Sequence, residues 1–245
     1  MTGPLAGRRL LVVGAAAGIG RATVLQAAAE GAQVAVIDRN DWAGAAAPGP
    51  VLRADVCDTA ALDAAVASAA AALGGLGGLV YCAGIDLMAS LAETDDAAWQ
   101  RVLDVDLTGA MRSCRAALRH FPASGGTMVL VASAAGLSPL PARSAYCAAK
   151  AGLVMFAKSL ALELAGRGIR VNAVCPGAVD TALFRTSWED VPDPAATLAA
   201  IRERYALRRV AAPDEIAAAI LFLTSTAASY VTGAALAVDG GRSFH

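Results

Sequence analysis

The sequence predicts an α/β domain in which helices cover both faces of a seven-stranded parallel sheet. Short apolar runs alternate with longer helix-like stretches along the chain, the pattern of strand–helix–strand units. The 245 residues suit one large domain with a sizeable core, and no repeat or linker divides residues 1–245. Apolar residues make up 57% of the chain and charged ones 17%, as strands buried on both faces require.

The first strand is read at residues 10–13, the run Leu10-Leu11-Val12-Val13, and the first helix at 18–29. A second strand follows at 33–37 and a third at 51–54, joined by the short Pro/Gly-containing connection 43–50. Residues 60–73, rich in alanine, form a helix, and 78–82 a fourth strand. One long helix is expected over 97–121 and another over 144–165, either side of a fifth strand at 127–132. The sixth and seventh strands fall at 169–175 and 235–238. Residues 182–210 break the pattern, with Pro192, Pro194, Trp188, Tyr205 and several arginines. In such a sheet, ligands sit beyond the carboxyl ends of the strands, so 182–210 is expected to cover a substrate.

Composition excludes several functions. The net charge is −1 and no basic stripe occurs, so nucleic acid is not an expected partner. No run of eighteen apolar residues lacks Gly, Pro or a charge, and no membrane span is expected. The first residues lack the apolar centre of a signal peptide. The five cysteines and two histidines have no metal-ligand spacing, so no metal is expected and the thiols are read as reduced, in a cytoplasmic protein.

Gly14-Ala15-Ala16-Ala17-Gly18-Ile19-Gly20 joins the first strand to the first helix. Glycines there allow a tight turn and let the backbone approach a pyrophosphate, which the helix N-terminus stabilises. Asp38 closes the second strand, where a carboxylate accepts hydrogen bonds from the adenosine ribose hydroxyls. A 2′-phosphate in that place would meet a like charge worth roughly 4 kcal/mol at about 4 Å and an effective dielectric of about 20. NAD is therefore expected over NADP, although the neighbouring Arg39 is a residue type that pairs with a 2′-phosphate.

Tyr146 and Lys150 stand four apart on one helix face. An ammonium beside a phenol favours the phenolate, and a shift of about 3 units would bring the tyrosine near neutrality as a general base. Ser133, at the end of the fifth strand, would polarise the reacting oxygen.

These pieces together resemble the short-chain dehydrogenase/reductase family along essentially the whole chain. The resemblance is carried by the glycine turn, Asp55-Val56, Ala83-Gly84, Ser133, Tyr146-x-x-x-Lys150, Asn172-x-Val174-x-Pro176-Gly177, and Val231-Thr232-Gly233 through Val238-Asp239-Gly240-Gly241. It implies a single Rossmann-like domain, a homotetramer, and a hydride transfer between nicotinamide and an alcohol carbon. By the same resemblance Asp55 and Val56 border the adenine and Ala83-Gly84 line the cofactor. Pro176, Gly177, Val179 and Thr181 fix the nicotinamide carboxamide, and Lys150 bonds the nicotinamide ribose.

Val13 and Tyr81-Cys82 depart from the family pattern, and Asp106 stands where the family has an asparagine that helps hold a water relay to the lysine. A backbone role survives that replacement, while the carboxylate would raise the pKa of Lys150. Closer likeness points to type 2 3-hydroxybutyrate dehydrogenases and bacterial sugar-acid dehydrogenases. Arg143 and Arg204 are the expected carboxylate anchors of a small hydroxy acid, since an arginine fork binds a carboxylate in two places. Arg185 and Arg208 are read as surface residues. The alternatives are a neutral polyol or cyclic alcohol, a 3-oxoacyl reductase, and a catalytically silent dinucleotide sensor, against which the intact Ser133, Tyr146 and Lys150 speak.

Overall fold

The computed structural model describes residues 3–244. Strands β1 (Arg9–Val13), β2 (Gln33–Asp38), β3 (Val51–Arg53), β4 (Gly78–Tyr81), β5 (Gly126–Val131), β6 (Ile169–Pro176) and β7 (Ala235–Val238) pair in parallel in the order β3-β2-β1-β4-β5-β6-β7. The chain winds outward from β1 to β3, then restarts at β4 on the other side of β1. That reversal opens a crevice at the carboxyl ends of β1 and β4, the place where sheets of this kind bind ligands.

Alternate strand residues feed two cores. Leu11, Val13, Leu79, Tyr81, Met128, Leu130 and Val171 point to one face and pack against helices α2 (Thr59–Leu73), α4 (Gly109–Leu118) and α5 (Ser144–Leu164). Leu10, Val12, Val34, Val80, Val129 and Val174 point to the other, under α1 (Gly18–Ala29) and α8 (Pro213–Thr224). Both sides of every central strand are buried, which is why the strands read as unbroken apolar runs.

The expected long helix at 97–121 is interrupted. It is α3 (Asp96–Leu103), then a π-turn over Asp104–Thr108, then α4. The buried Tyr81 hydroxyl donates to the Val105 carbonyl at 2.5 Å, bonding a backbone group within the turn. A Cβ on Gly109 would lie 2.5 Å from that hydroxyl, so the chain there must be glycine. α8 was not anticipated as a helix. Its start carries Pro213 at N1, a reciprocal bond between Glu215 and the Ala212 amide, and Asp214 and Glu215 in the first turn.

By length and composition, the helix from Ser144 through Arg167 would suffice to cross a membrane. Here it lies in a core layer, burying Ala149, Leu153, Ala157, Ala161 and Leu164 against the sheet side, with Met155 and Leu162 exposed opposite. Segment 182–210 forms α6 (Ala182–Arg185) and α7 (Pro194–Arg202), with Ile201 and Tyr205 packed on Ala178 beside β6.

Candidate active site

Two cavities, of about 230 and 170 Å³, share Ile19, Cys82, Gly84, Thr181 and Leu183 along the carboxyl edge of the sheet. The larger is lined by Gly14, Ala17, Gly18, Ile19, Gly20, Asp38, Arg39, Asp55, Val56, Ala83 and Gly84. The smaller is lined by Ser133, Arg143, Tyr146, Lys150, Pro176, Gly177, Val179 and Arg204, with Thr181. Every site residue expected from the sequence therefore borders one cavity or the other, except Asp106, which lies beneath Lys150.

The larger cavity is shaped by backbone. Gly14 has φ +79°, and a Cβ there would meet the Ala83 amide nitrogen at 2.3 Å. A Cβ on Gly20 would strike the Gly14 carbonyl at 2.2 Å, so helix and turn touch directly. α1 begins at Ala17 and Gly18 with no side-chain cap and no acid in its first turn, leaving its leading amides for an anion. Asp38 Oδ2 accepts the Ala16 amide at 2.8 Å and Oδ1 the Asn40 amide at 2.9 Å, tying the end of β2 to the turn. The Cys57 amide bonds Asp55 at 2.8 Å and holds its carboxyl below the usual range. An extended dinucleotide with its pyrophosphate on the turn fits this donor set.

The smaller cavity brings together side chains distant in sequence. Ser133 caps the turn after β5, its hydroxyl accepting the Ala135 amide, and it lines the same cavity as Tyr146. Lys150 Nζ lies 5.6 Å from the Tyr146 ring centre and donates to the Val131 carbonyl at 3.2 Å. Its nearest charge is Asp106: Nζ and Oδ2 are 3.1 Å apart and both side chains are buried. The other oxygen, Oδ1, accepts the Ile85 amide at 2.9 Å. Burial works against the Lys150 charge, but Asp106 and Tyr146 overcome it and hold the ammonium above its ordinary range.

Lys150 does not act on Tyr146 unopposed, as the carboxylate at position 106 led one to expect. Burial pushes the phenol up, Lys150 and the nearby Ser133 hydroxyl pull it down, and Asp106 pushes it up again, leaving it above its ordinary value.

The arginines also differ from expectation. Arg143 faces the cavity, but its Nε is 2.7 Å from Asp86 Oδ2 and its Nη2 donates to Ser187 Oγ at 2.9 Å. It is a charge-satisfied tie between the β4 exit, the start of α5 and the covering segment. Arg204 has no carboxylate in ion-pair reach among the described residues. Arg185 and Arg208 pair at the surface with Asp180 and Glu203. Sequence reasoning missed Arg242, a buried cation on the same cavity that donates to the carbonyls of Ala134, Ser138 and Pro139. Its position just after Gly240-Gly241 was the available signal.

A doubly wound sheet with a glycine turn, an acid at the second strand and a Ser-Tyr-Lys set at one joined pocket defines an oxidoreductase using a nicotinamide cofactor. Comparison with known proteins narrows the class. A family model described as "Enoyl-(Acyl carrier protein) reductase" matches residues 14–243. Cis-4-hydroxycyclohexanecarboxylate dehydrogenase of Sinomonas cyclohexanicum is 44% identical over 96% of each chain. 2-(S)-hydroxypropyl-CoM dehydrogenase 3 of Xanthobacter autotrophicus is 38% identical over 98% of each. The solved ligand-free aldohexose dehydrogenase of Thermoplasma acidophilum superposes with a TM-score of 0.93 at 28% identity, over 100% of this chain and 97% of that one. The chain belongs to the short-chain dehydrogenase/reductase family and is an oxidoreductase acting on CH–OH groups.

Proposed function

We propose that this enzyme uses NAD to oxidise, reversibly, the secondary alcohol of a small hydroxy acid, a 3-hydroxy acid or one derived from a sugar. The observation that carries the reading is the charge of the smaller cavity. Its acids are already ion-paired, Asp86 with Arg143 and the underlying Asp106 with Lys150, whereas Arg204 and Arg242 face it with no carboxylate in reach among the described residues. A cavity with two uncompensated cations, on a chain of net charge −1, favours an anionic substrate. The hydroxycyclohexanecarboxylate relative acts on such an acid, by its name.

In this reading the glycine turn holds the pyrophosphate, Asp38 the adenosine ribose, Asp55 and Val56 the adenine, and Ala83-Gly84 the adjoining stretch. Pro176, Gly177, Val179 and Thr181 hold the carboxamide, and Lys150 the nicotinamide ribose. The bound nicotinamide supplies the hydride acceptor. Ser133 orients the alcohol oxygen, the Tyr146 phenolate takes its proton, and Lys150 stabilises that phenolate. Arg204 holds the carboxylate at the covering segment 182–210. All five cysteines are free thiols, which fits a reducing, cytoplasmic setting. The exposed Met155 and Leu162 on α5 fit the homotetramer implied by family resemblance.

Leu140, Leu183, Phe184 and Ile201 favour a second reading, a neutral cyclic alcohol held by apolar walls. A panel of hydroxy acids, polyols and cyclic alcohols decides, followed by NADH absorbance with NAD. The best kcat/KM is expected for an acid, and turnover of neutral alcohols alone would discard the hydroxy-acid reading.

A further inference from the structure

We infer that Asp106 is a positioning residue that makes Lys150 half of a charge-neutral buried pair, so the site carries one positive charge fewer beside the cofactor than its Ser-Tyr-Lys set alone would supply. The inference rests on the dehydrogenase reading and goes beyond it in assigning the replaced asparagine an electrostatic task.

The geometry is specific. Asp106 is fully buried within the π-turn, the Ile85 amide fixes Oδ1, and Oδ2 meets Nζ at 3.1 Å. A Cβ on Gly84 would come within 3.2 Å of that oxygen and 3.3 Å of Nζ, so the glycine lets the backbone close over the pair. Tyr81 bonds the preceding residue's carbonyl. Two of the three departures from the family pattern thus lie in one structure: Tyr81 at the turn, Asp106 on the lysine. Burial raises the Asp106 carboxyl, and Lys150 and the Ile85 amide pull it only part of the way back. The pair is retained as ionised because each charge has the other and a backbone partner.

The other groups facing Tyr146 and Lys150 do not replace this effect. Asp86, beyond β4, is ion-paired with Arg143. Cys82, at the end of β4, faces Lys150, but burial pushes its thiol up to about 12, so it stays neutral. Ser133 is neutral. Arg204 and Arg242 reach the cavity from the covering segment and the C-terminal stretch, and both are cations.

Two consequences follow. Asp106 offsets the attraction of Lys150 for a phenolate, so alcohol oxidation begins at higher pH than with an asparagine. A neutral pair also repels the positively charged oxidised nicotinamide less than a bare ammonium does, favouring oxidised over reduced cofactor.

The test is Asp106→Asn, nearly isosteric and still able to accept from Ile85. Removing the negative charge favours the phenolate, so the acidic limb of kcat/KM for the alcohol is expected to move down by about one pH unit, a tenfold change in ionised fraction. Fluorescence titration without substrate should show the NAD dissociation constant rising relative to that of NADH by roughly threefold or more. A structural role alone moves neither. Both unchanged within a factor of two, in a variant that melts normally, would overturn the inference and leave the dehydrogenase intact. If Asp106→Asn does not fold, Asp106→Ser is read by the same two measurements. A parent that turns over no alcohol overturns the dehydrogenase reading, while the cofactor ratio still judges Asp106. A parent that binds neither cofactor overturns both.

Discussion

The two joined cavities are built by different means. The larger is built around backbone: Gly14, Gly18, Gly20 and the uncapped start of α1, one stretch of seven residues, form its centre. The smaller gathers charged side chains from the β4 exit, α5, the covering segment and the C-terminal stretch, with Asp106 of the π-turn beneath Lys150. In the first, function follows from space that any side chain would fill. In the second it follows from which charges find partners, and that depends on the whole fold.

The sharpest difference is expected at the tyrosine. Tyr146→Phe removes the phenol oxygen, the proposed proton acceptor, from the smaller cavity and leaves the larger one whole. It should lower kcat by about a thousandfold, within the usual range for a general base, with NADH affinity by fluorescence unchanged within a few-fold. Comparable loss of affinity would mean the cavities are not separable. A smaller effect is expected at the far end of the larger cavity. Asp38→Ser removes the charge at the end of β2, proposed to meet the ribose, and the acceptor of the Ala16 amide. The ratio of kcat/KM for NAD over NADP should fall by about ten- to a hundredfold, less than the bare Coulomb figure because the site is open to solvent. An unchanged ratio would assign cofactor choice elsewhere.

The same contrast explains what could be read without coordinates. Strand order of use, the glycine turn, Asp38 and the Tyr146–Lys150 face depend on short-range spacing, and all of them are legible in the chain. The π-turn at Asp104–Thr108 is not, because an added residue per turn leaves little mark on helix periodicity, and its Tyr81 partner lies in another strand. α8 hides because alanine and leucine surround it without a sharp polar face. Arg143 was legible as facing the pocket, but Asp86, 57 positions away, decides that it is a tie and not an anchor. Arg242 stood in plain view after two glycines, with nothing local to say it is buried.

The charge of the smaller cavity is tested most directly by a matched pair, the best hydroxy acid from the panel and its methyl ester, with the parent, Arg204→Ala and Arg143→Ala. The ester keeps the reacting carbon and loses the anion. In the parent the acid should have a KM about tenfold lower than the ester, a difference of about 1.4 kcal/mol. Arg204→Ala should abolish that preference with kcat nearly unchanged, while Arg143→Ala, which loosens the covering segment, should impair acid and ester alike. A parent that prefers the ester, or an acid preference that survives Arg204→Ala, would contradict the account.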